Sequence, residues 1–318
     1  MKPSVFHQLK AALGRLSAGE CLEAQQVLNE RERQLEAFVL VKELTEAVSC
    51  CPHCKSQAIS KAGSKGGRKR FKCDACHVSF NALTGTPLAG LRMIDKHAEY
   101  ARCMIESQTV RRAAKTLAIS LRTSFRWRHR FLAAISQAQP AQLAGIVEAD
   151  ETYFRLSFKG SKHLPLGRKA KKRGTPASQR GLSKEQIPVL VARDRSTGDT
   201  LTERVPSRWA KDIGPALLPR LAKDAVLCSD GASAYRIIAK KAGIEVKSTP
   251  AKQAAGIYHI QNVNSYTSRL KGWMFGFMGV ATKYLHNYLG WHRLLDSFGH
   301  QMTTREFLLA SFGNVITA

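Results

Sequence analysis

Acidic side chains are scarce in this 318-residue chain: 24 Asp and Glu stand against 50 Lys and Arg, a formal net charge of +26. That balance excludes an acidic disordered protein and points to a polyanionic partner. No run of about 18 apolar residues occurs, so no membrane span is expected. The first residues, MKPSVFHQLKAALGRL, lack a continuous apolar stretch with a small-residue cleavage site, so a secretory signal is not expected and the chain reads as cytoplasmic and nucleoid-associated. No internal repeat is visible. What is present is ordinary for a globular protein: 44% hydrophobic and 8% aromatic residues, so the charge decorates a folded chain. At roughly 100 to 200 residues per domain the length predicts two or three folded units. Eight cysteines in a reducing compartment suggest metal binding or buried thiols before disulfides.

Apolar residues at helical spacing (Val5, Leu9, Ala12, Leu13, Leu16, then Leu28, Leu35, Phe38, Val39) predict two short helices in residues 1–48. Helical spacing returns over 94–135, enough for three helices, with a break at Ile119 and Ser120 where Ser supplies an N-cap. A Gln/Pro/Ala-rich linker at 136–143 leads into short β-rich runs alternating with helices, an α/β domain. Strands are expected at 145–154, 187–193, 200–205, 225–229 and 244–247, the second and third forming a hairpin through 194–199. Helices are expected at 209–222 and 232–242 and over most of 258–275 and 280–298. Residues 155–184 hold ten Lys or Arg and no acid, a long basic loop or insertion.

Two pairs, Cys51-x2-Cys54 and Cys73-x2-Cys76, are separated by 18 residues. Each Cys-x2-Cys turn directs two sulfurs at one ion, and the spacing suits a four-thiolate structural zinc site. Four free thiols are the alternative, but they would leave a Gly/Lys-rich segment with nothing to hold it. Cys50, His53 and His77 would break the symmetry of the two turns, and Cys21, Cys103 and Cys228 read as small buried hydrophobes. Seven bases and no acid lie from Lys55 through Lys72, so Lys65, Arg68, Lys69 and Arg70 form either a phosphate-contacting finger or a solvated loop. Residues 109–117 followed by 120–135 resemble a helix-turn-helix, with a basic three-helix bundle as the bland alternative. Its last helix would extend Arg122, Arg126, Arg128 and Arg130 to DNA, while Phe125, Trp127 and Phe131 pack in the core. In the basic insertion, Arg168, Lys169, Lys171, Lys172 and Arg173 are expected to follow DNA backbone and not to read bases. Asp150 lies inside Ile-Val-Glu-Ala-Asp-Glu-Thr-Tyr, and Asp230 follows Ala-Val-Leu-Cys-Ser. Carboxylates at strand ends of open α/β sheets are common metal ligands, and two on adjacent strands could hold Mg²⁺ against a phosphodiester. A salt bridge at Asp150 and a helix cap at Asp230 would explain them structurally.

The order of cysteine pairs, Thr84-Gly-Thr-Pro-Leu88, helix-turn-helix, Val147-Glu-Ala-Asp-Glu-Thr-Tyr153, Ser229-Asp-Gly231 and His259-Ile-Gln-Asn-Val-Asn-Ser-Tyr-Thr-Ser-Arg-Leu-Lys271 resembles the zinc-ribbon group of bacterial insertion-sequence DDE transposases. The resemblance runs from about residue 48 to 295. It implies a zinc ribbon (49–92), a helix-turn-helix domain (93–136) and an RNase H-like catalytic domain (144–300, basic insertion 155–184), which leaves the helical N-terminal segment (1–48) and a C-terminal tail (301–318) on either side. The implied activity is cleavage of transposon ends and their transfer to target DNA with Mg²⁺ or Mn²⁺, by a homodimer or higher oligomer assembled on the terminal inverted repeats. Position by position it makes Asp150 the first catalytic acid, Asp230 the second, Asn264 the occupant of the usual Glu position and Lys271 the lysine beyond it. Asn264 is the departure, and a catalytically inactive, transposase-derived repressor is the rival reading. Asn264 and Lys271 are seven residues apart, hence within about 20° on one helix face. Strand alternation puts Glu148 on the face of Asp150, where it could supply the missing charge, and turns Glu151 away.

Overall fold

The computed structural model describes residues 3–165, 183–248 and 256–314. It divides into two compact units, one of the described residues up to Leu121 with Thr303–Phe312, the other of Arg122–Met302 with the residues that follow Phe312.

In the first unit, α1 (Pro3–Leu13) precedes α2 (Ala18–Glu46). A capping box starts α2: the Ser17 N–H donates to Glu20 Oε2 at 2.8 Å while Ser17 Oγ accepts the Glu20 N–H. With no Gly or Pro from Glu20 to Glu46, nothing interrupts the helix, so α2 runs 29 residues where the sequence pattern predicted a short one. Ala37, Leu40 and Val41 fall on one face and are buried, and α2 packs on α3 (His97–Ile105) and α10 (Thr304–Phe312). Residues 301–318, read from sequence only as a tail, thus contain a helix whose Phe307 and Leu308 are fully buried. Strands β1 (Ile59–Lys65), β2 (Arg68–Cys73) and β3 (Ser79–Phe80) form an antiparallel sheet, with Phe71 stacked on Phe80 at 5.6 Å. Helix α4 (Val110–Thr116) is capped by Thr109 and closed by left-handed Ala118 (φ 50°).

The second unit is built on a five-stranded sheet of order β6-β5-β4-β7-β8. Strands β4 (Ile146–Arg155), β5 (Gln186–Asp194) and β6 (Thr200–Arg204) are antiparallel, and β7 (Val226–Ser229) and β8 (Glu245–Ser248) continue parallel to β4. Helices α6 (Ala210–Leu217) and α7 (Ser233–Ala242) cover one face, against Val147, Ala149, Leu190 and Leu227. Helices α8 (Gln261–Phe275) and α9 (Leu285–Phe298) cover the other, against Val189, Val191 and Cys228. Helix α6 stops short of the expected residue 222 because Pro219, which has no N–H to donate, turns the chain into a 3-10 segment. Helix α5 (Leu121–Gln137) begins at the boundary between the units and buries the stripe Ser124, Trp127, Arg128, Phe131, Leu132 and Ile135. Among the described residues no helix is long and apolar enough to cross a membrane.

Candidate functional site

The parallel pairing of β4 with β7 reads Ile146 on Val226, Val147 on Leu227 and Glu148 on Cys228. Two residues past that last rung lie Asp150 on one strand and Asp230 on the other. Asp150 is opposite Val191, which belongs to the cluster under α8 and α9, whereas Glu151 is opposite Leu190, in the cluster under α6 and α7. Alternation therefore sends the adjacent acids to opposite faces, as the sequence indicates. Glu151 accepts a hydrogen bond from the hydroxyl of fully buried Tyr235 at 2.6 Å.

Burial, then the charge of Asp230, pushes the Asp150 carboxyl up to about 6, against the stabilising Glu151 N–H and Lys271. Glu151 is pushed up to about 7, first by burial and then by Asp150 and Asp230, with the Tyr235 hydroxyl and Arg208 acting in the other direction. Asp150 and Asp230 thus act on each other with little positive charge nearby, an arrangement that suits a cation, while Glu151 lies on the other face with Tyr235. Asp230 also accepts the Ala232 N–H at 3.0 Å, but this is a turn bond ahead of α7, whose N-cap is Ala232 without a side-chain bond, so Asp230 is not the helix cap weighed from sequence. On α8, Val263, Tyr266 and Leu270 face the sheet, and Asn264 and Lys271, each one position further on, share the exposed flank. Lys271 acts electrostatically on Asp150, so the helix brings this flank toward the strand end.

Glu148 does not supply a spare negative charge, contrary to the expectation from strand alternation. It does share the face of Asp150, but it is fully buried and its oxygens are taken by Arg195 (2.7 Å), Asn262 Nδ2 (2.8 Å) and the Val263 N–H (3.0 Å). Arg195, in the β5–β6 turn, and Arg208 are site neighbours that no sequence pattern flagged. Glu151 was visible beside Asp150, but its Tyr235 partner lies 84 residues away and had no local signal.

The four cysteines of the paired motif gather with all sulfurs within 4.8 Å of one another, the only such set of three or more His, Cys, Asp or Glu side chains among the described residues. Cys51 and Cys76 sulfurs are 3.7 Å apart and Cys54 and Cys73 3.5 Å. A tetrahedral ion with sulfur ligands at about 2.3 Å has sulfur–sulfur edges of about 3.8 Å, so the donor set fits one. The two turns are equivalent: Lys55 N–H donates to the Cys51 carbonyl and His77 N–H to that of Cys73, both at 2.9 Å, with Lys55 (φ 63°) and His77 (φ 58°) left-handed.

Of the basic residues, Lys65 and Arg68 pair across the β1–β2 hairpin, Lys65 and Lys69 are exposed, and Arg68 and Arg70 half-buried. Arg122 and Arg126 are exposed on α5 and Arg130 half-buried at the same four-residue spacing. Arg128 is a correction: it is 0% exposed, its guanidinium 4.7 Å from the Trp291 ring centre, and it cannot reach DNA. Its position in the stripe of Trp127, Phe131 and Ile135 was the available signal. Phe125 is the reverse correction, 43% exposed, with edge contacts to His129 and Tyr284 instead of a place in the core. Arg168, Lys169, Lys171, Lys172 and Arg173 lie outside the described residues.

Residues 142–291, which span the sheet, α6, α7, α8 and the first half of α9, match the family model of the ISXO2-like transposase domain. Over those residues the chain is similar to a transposase domain. No curated protein matches the sequence. Solved structures similar to this chain include a pre-cleavage Mos1 transpososome (14% identity, 69% of this chain and 80% of that one, TM-score 0.24). A Mos1 transposase paired-end complex with the left transposon end is similar at 15% identity over 69% of this chain and 79% of that one, also with TM-score 0.24. The Mos1 strand transfer complex follows at 15%, 68% and 78%, TM-score 0.22. Likeness at this level adds nothing to the family match for the transposase domain or its site.

Proposed function

We propose that the protein binds the ends of an insertion sequence and catalyses cleavage and strand transfer there, with Asp150, Asp230 and Asn264 as the ligands of divalent cations. The observation that carries this reading is the placement of Asp230, just past the end of β7, near Asp150 on the strand β4 that pairs parallel with it, with Asp150 raised to about 6 by burial and its neighbour's charge. Bound Mg²⁺ or Mn²⁺ would activate water or a 3′-hydroxyl and stabilise the leaving oxygen. The chain's own contribution is positional. Half-buried Asp150 and exposed Asp230 hold negative charge beside the end of β7, Asn264 offers an amide oxygen, and Lys271 offers an ammonium to a phosphate from the same helix flank. The mixed sheet with helices on both faces supports an RNase H-like domain as the scaffold. Cys51, Cys54, Cys73 and Cys76 fit a structural zinc ion, and the exposed bases of the β1–β2 hairpin and α5 suit DNA backbone. The succession α4, left-handed turn, α5 supports the helix-turn-helix reading.

Strand cleavage of DNA bearing the element's ends tests the assignment. Asp150→Asn and Asp230→Asn are each expected to abolish cleavage while leaving DNA binding intact or tighter, since each removes a negative charge beside a polyanion. Retained cleavage in either variant moves the active site elsewhere. Asn264 in a position expected to hold a carboxylate is the one observation favouring a non-catalytic repressor, and that reading requires the unmodified protein to bind the ends without cutting them at any Mg²⁺ or Mn²⁺ concentration.

A further inference from the structure

At the start of helix α8 Ile260 makes no side-chain capping bond, and the only local acceptor among the described contacts is His259 Nδ1, which takes the Gln261 N–H at 3.4 Å. The N–H groups of a first turn have no partner within the helix. Here the third of them, on Val263, is satisfied from a different element, by Glu148 Oε2 of β4 at 3.0 Å. The other carboxylate oxygen takes Asn262 Nδ2 at 2.8 Å and two nitrogens of Arg195, Nε at 3.0 Å and Nη2 at 2.7 Å. Arg195 continues to the carbonyls of Ile257 and His259 and to His259 Nδ1, in the segment that enters α8. Glu148 is 0% exposed, so its charge is tolerable only because donors surround it. A negative group at a helix N-terminus also complements the positive end of the helix dipole.

The same strand carries Asp150 two residues on, and the same helix carries Asn264 one residue on. We infer that Glu148, clamped by Arg195, is a positioning residue: it fixes the depth and register of the α8 N-terminus against β4, so that Asn264 and Asp150 face the same divalent cation. This rests on the ligand set proposed above. Partners that orient metal ligands typically govern 10- to 100-fold in metal affinity, although they never touch the ion. A buried ion pair that merely held the sheet together would cost stability and nothing else.

The test uses the full zinc-loaded chain and Mn²⁺, followed by electron paramagnetic resonance of bound Mn²⁺ and by cleavage of end-bearing DNA against Mn²⁺ concentration. Glu148→Gln keeps an oxygen for the Val263 N–H but loses the charge that grips Arg195. It is expected to weaken Mn²⁺ binding about tenfold or more, with cleavage recovering at high Mn²⁺. Arg195→Lys, which keeps a cation but not the two-nitrogen grip, is expected to shift both midpoints the same way, and it carries the test should Glu148→Gln not fold. Arg293→Met removes buried bonds to Thr202 and Ala138 on the same scaffold and should lower the melting temperature without moving the Mn²⁺ midpoint. Parental Mn²⁺ midpoints in Glu148→Gln and Arg195→Lys, alongside lost binding in Asp150→Asn, would overturn the positioning role alone. If Asp150→Asn itself binds Mn²⁺ as the parent does, the ligand set is wrong and the clamp falls with it.

Discussion

In the proposed ligand set Asn264 is the side chain on which catalysis would most depend. An amide in place of a carboxylate leaves the cation site one negative charge short, and the Arg195 clamp prevents Glu148 from making up the difference. Cleavage by the parent should therefore demand high Mg²⁺. Asn264→Ala removes the oxygen altogether and is expected to lose activity across the whole titration, whereas Asn264→Glu should keep activity and lower the Mg²⁺ requirement, because a carboxylate binds a hard cation more strongly than an amide. Cleavage rates of the three forms against Mg²⁺ concentration decide it, and a parental curve for Asn264→Ala removes Asn264 from the ligand set. The thiols yield a second prediction of this kind: Cys51→Ser or Cys76→Ser should release about one zinc per chain, and Cys103→Ser or Cys228→Ser none, as read by metal analysis. Much at this scale was legible in the sequence. Asp150 and Asp230 stand out as acids in apolar company, and the cysteine spacing speaks for itself. Glu148 was harder. Its face follows from alternation, but what covers that face, an arginine 47 residues later and a helix start 115 residues later, is tertiary information with no local trace.

Elements were readable wherever local chemistry alone decides them. The hairpin of β5 and β6 was expected within a residue or two, since Asp194 carries its own turn signal: its Oδ1 accepts the N–H groups of Ser196 and Thr197. The strand β7 was legible as an apolar run ending at Asp230. What failed was anything set by a partner. Arg128 sits in the buried stripe of α5, where aromatic rings of other elements receive it, and the composition of α5 alone could not distinguish it from Arg126. The α10 helix is short, and its burial depends on α2 and α3, more than 190 residues earlier. Helix α9 also crosses α5 at Gly290, where a Cβ would stand 2.6 Å from Ser136 Cα and 2.9 Å from the Ile135 carbonyl oxygen. Both are backbone atoms and cannot swing aside. Gly290→Ala is therefore expected to destabilise the protein by about 1–3 kcal/mol despite the better helix propensity of Ala, because overpacking outweighs the gain of roughly 1 kcal/mol that Ala brings in a helix. A thermal melt of Gly290→Ala at or above the parent would show that the two helices separate at no cost.

Taken as a whole, the molecule combines a +26 charge with histidines that burial keeps neutral, and each property sets a solution behaviour. DNA affinity should fall steeply with salt, and replacing Lys65, Arg68, Lys69 and Arg70 by Gln should flatten the slope of log affinity against log salt by about 0.9 for each phosphate contact removed. An unchanged slope would take the β1–β2 hairpin off the DNA. The response to acid follows from His97 in one unit and His292 in the other, each lowered to about 4, chiefly by burial. Both are nearly inaccessible, at 1% and 6% exposure, and His97 Nε2 is bonded to the Arg92 carbonyl at 3.2 Å. In the unfolded chain a histidine titrates near 6.5, so between about 6.5 and 4 the unfolded state takes up the proton that the folded state refuses. Stability is thus complete above pH 6.5 and falls as pH drops toward 4, by roughly 3 kcal/mol for each histidine at the lower limit. Asp150 and Glu151, raised to about 6 and 7, act with the opposite sign in metal-free buffer, since the folded state holds their protons more tightly over the same range. They oppose His292 within the sheet unit. In the first unit Glu36, raised by burial, acts in the same direction as Asp150 and Glu151, and in the sheet unit His129, lowered to about 4 chiefly by burial, adds to the acid loss. His97→Gln, which retains a donor for the Arg92 carbonyl, should accordingly remove part of the acid loss, measured as a smaller change in melting temperature between pH 7 and 4.5 than the parent shows. Equal pH dependence in His97→Gln and the parent would mean that buried His97 is not what makes the fold acid-sensitive.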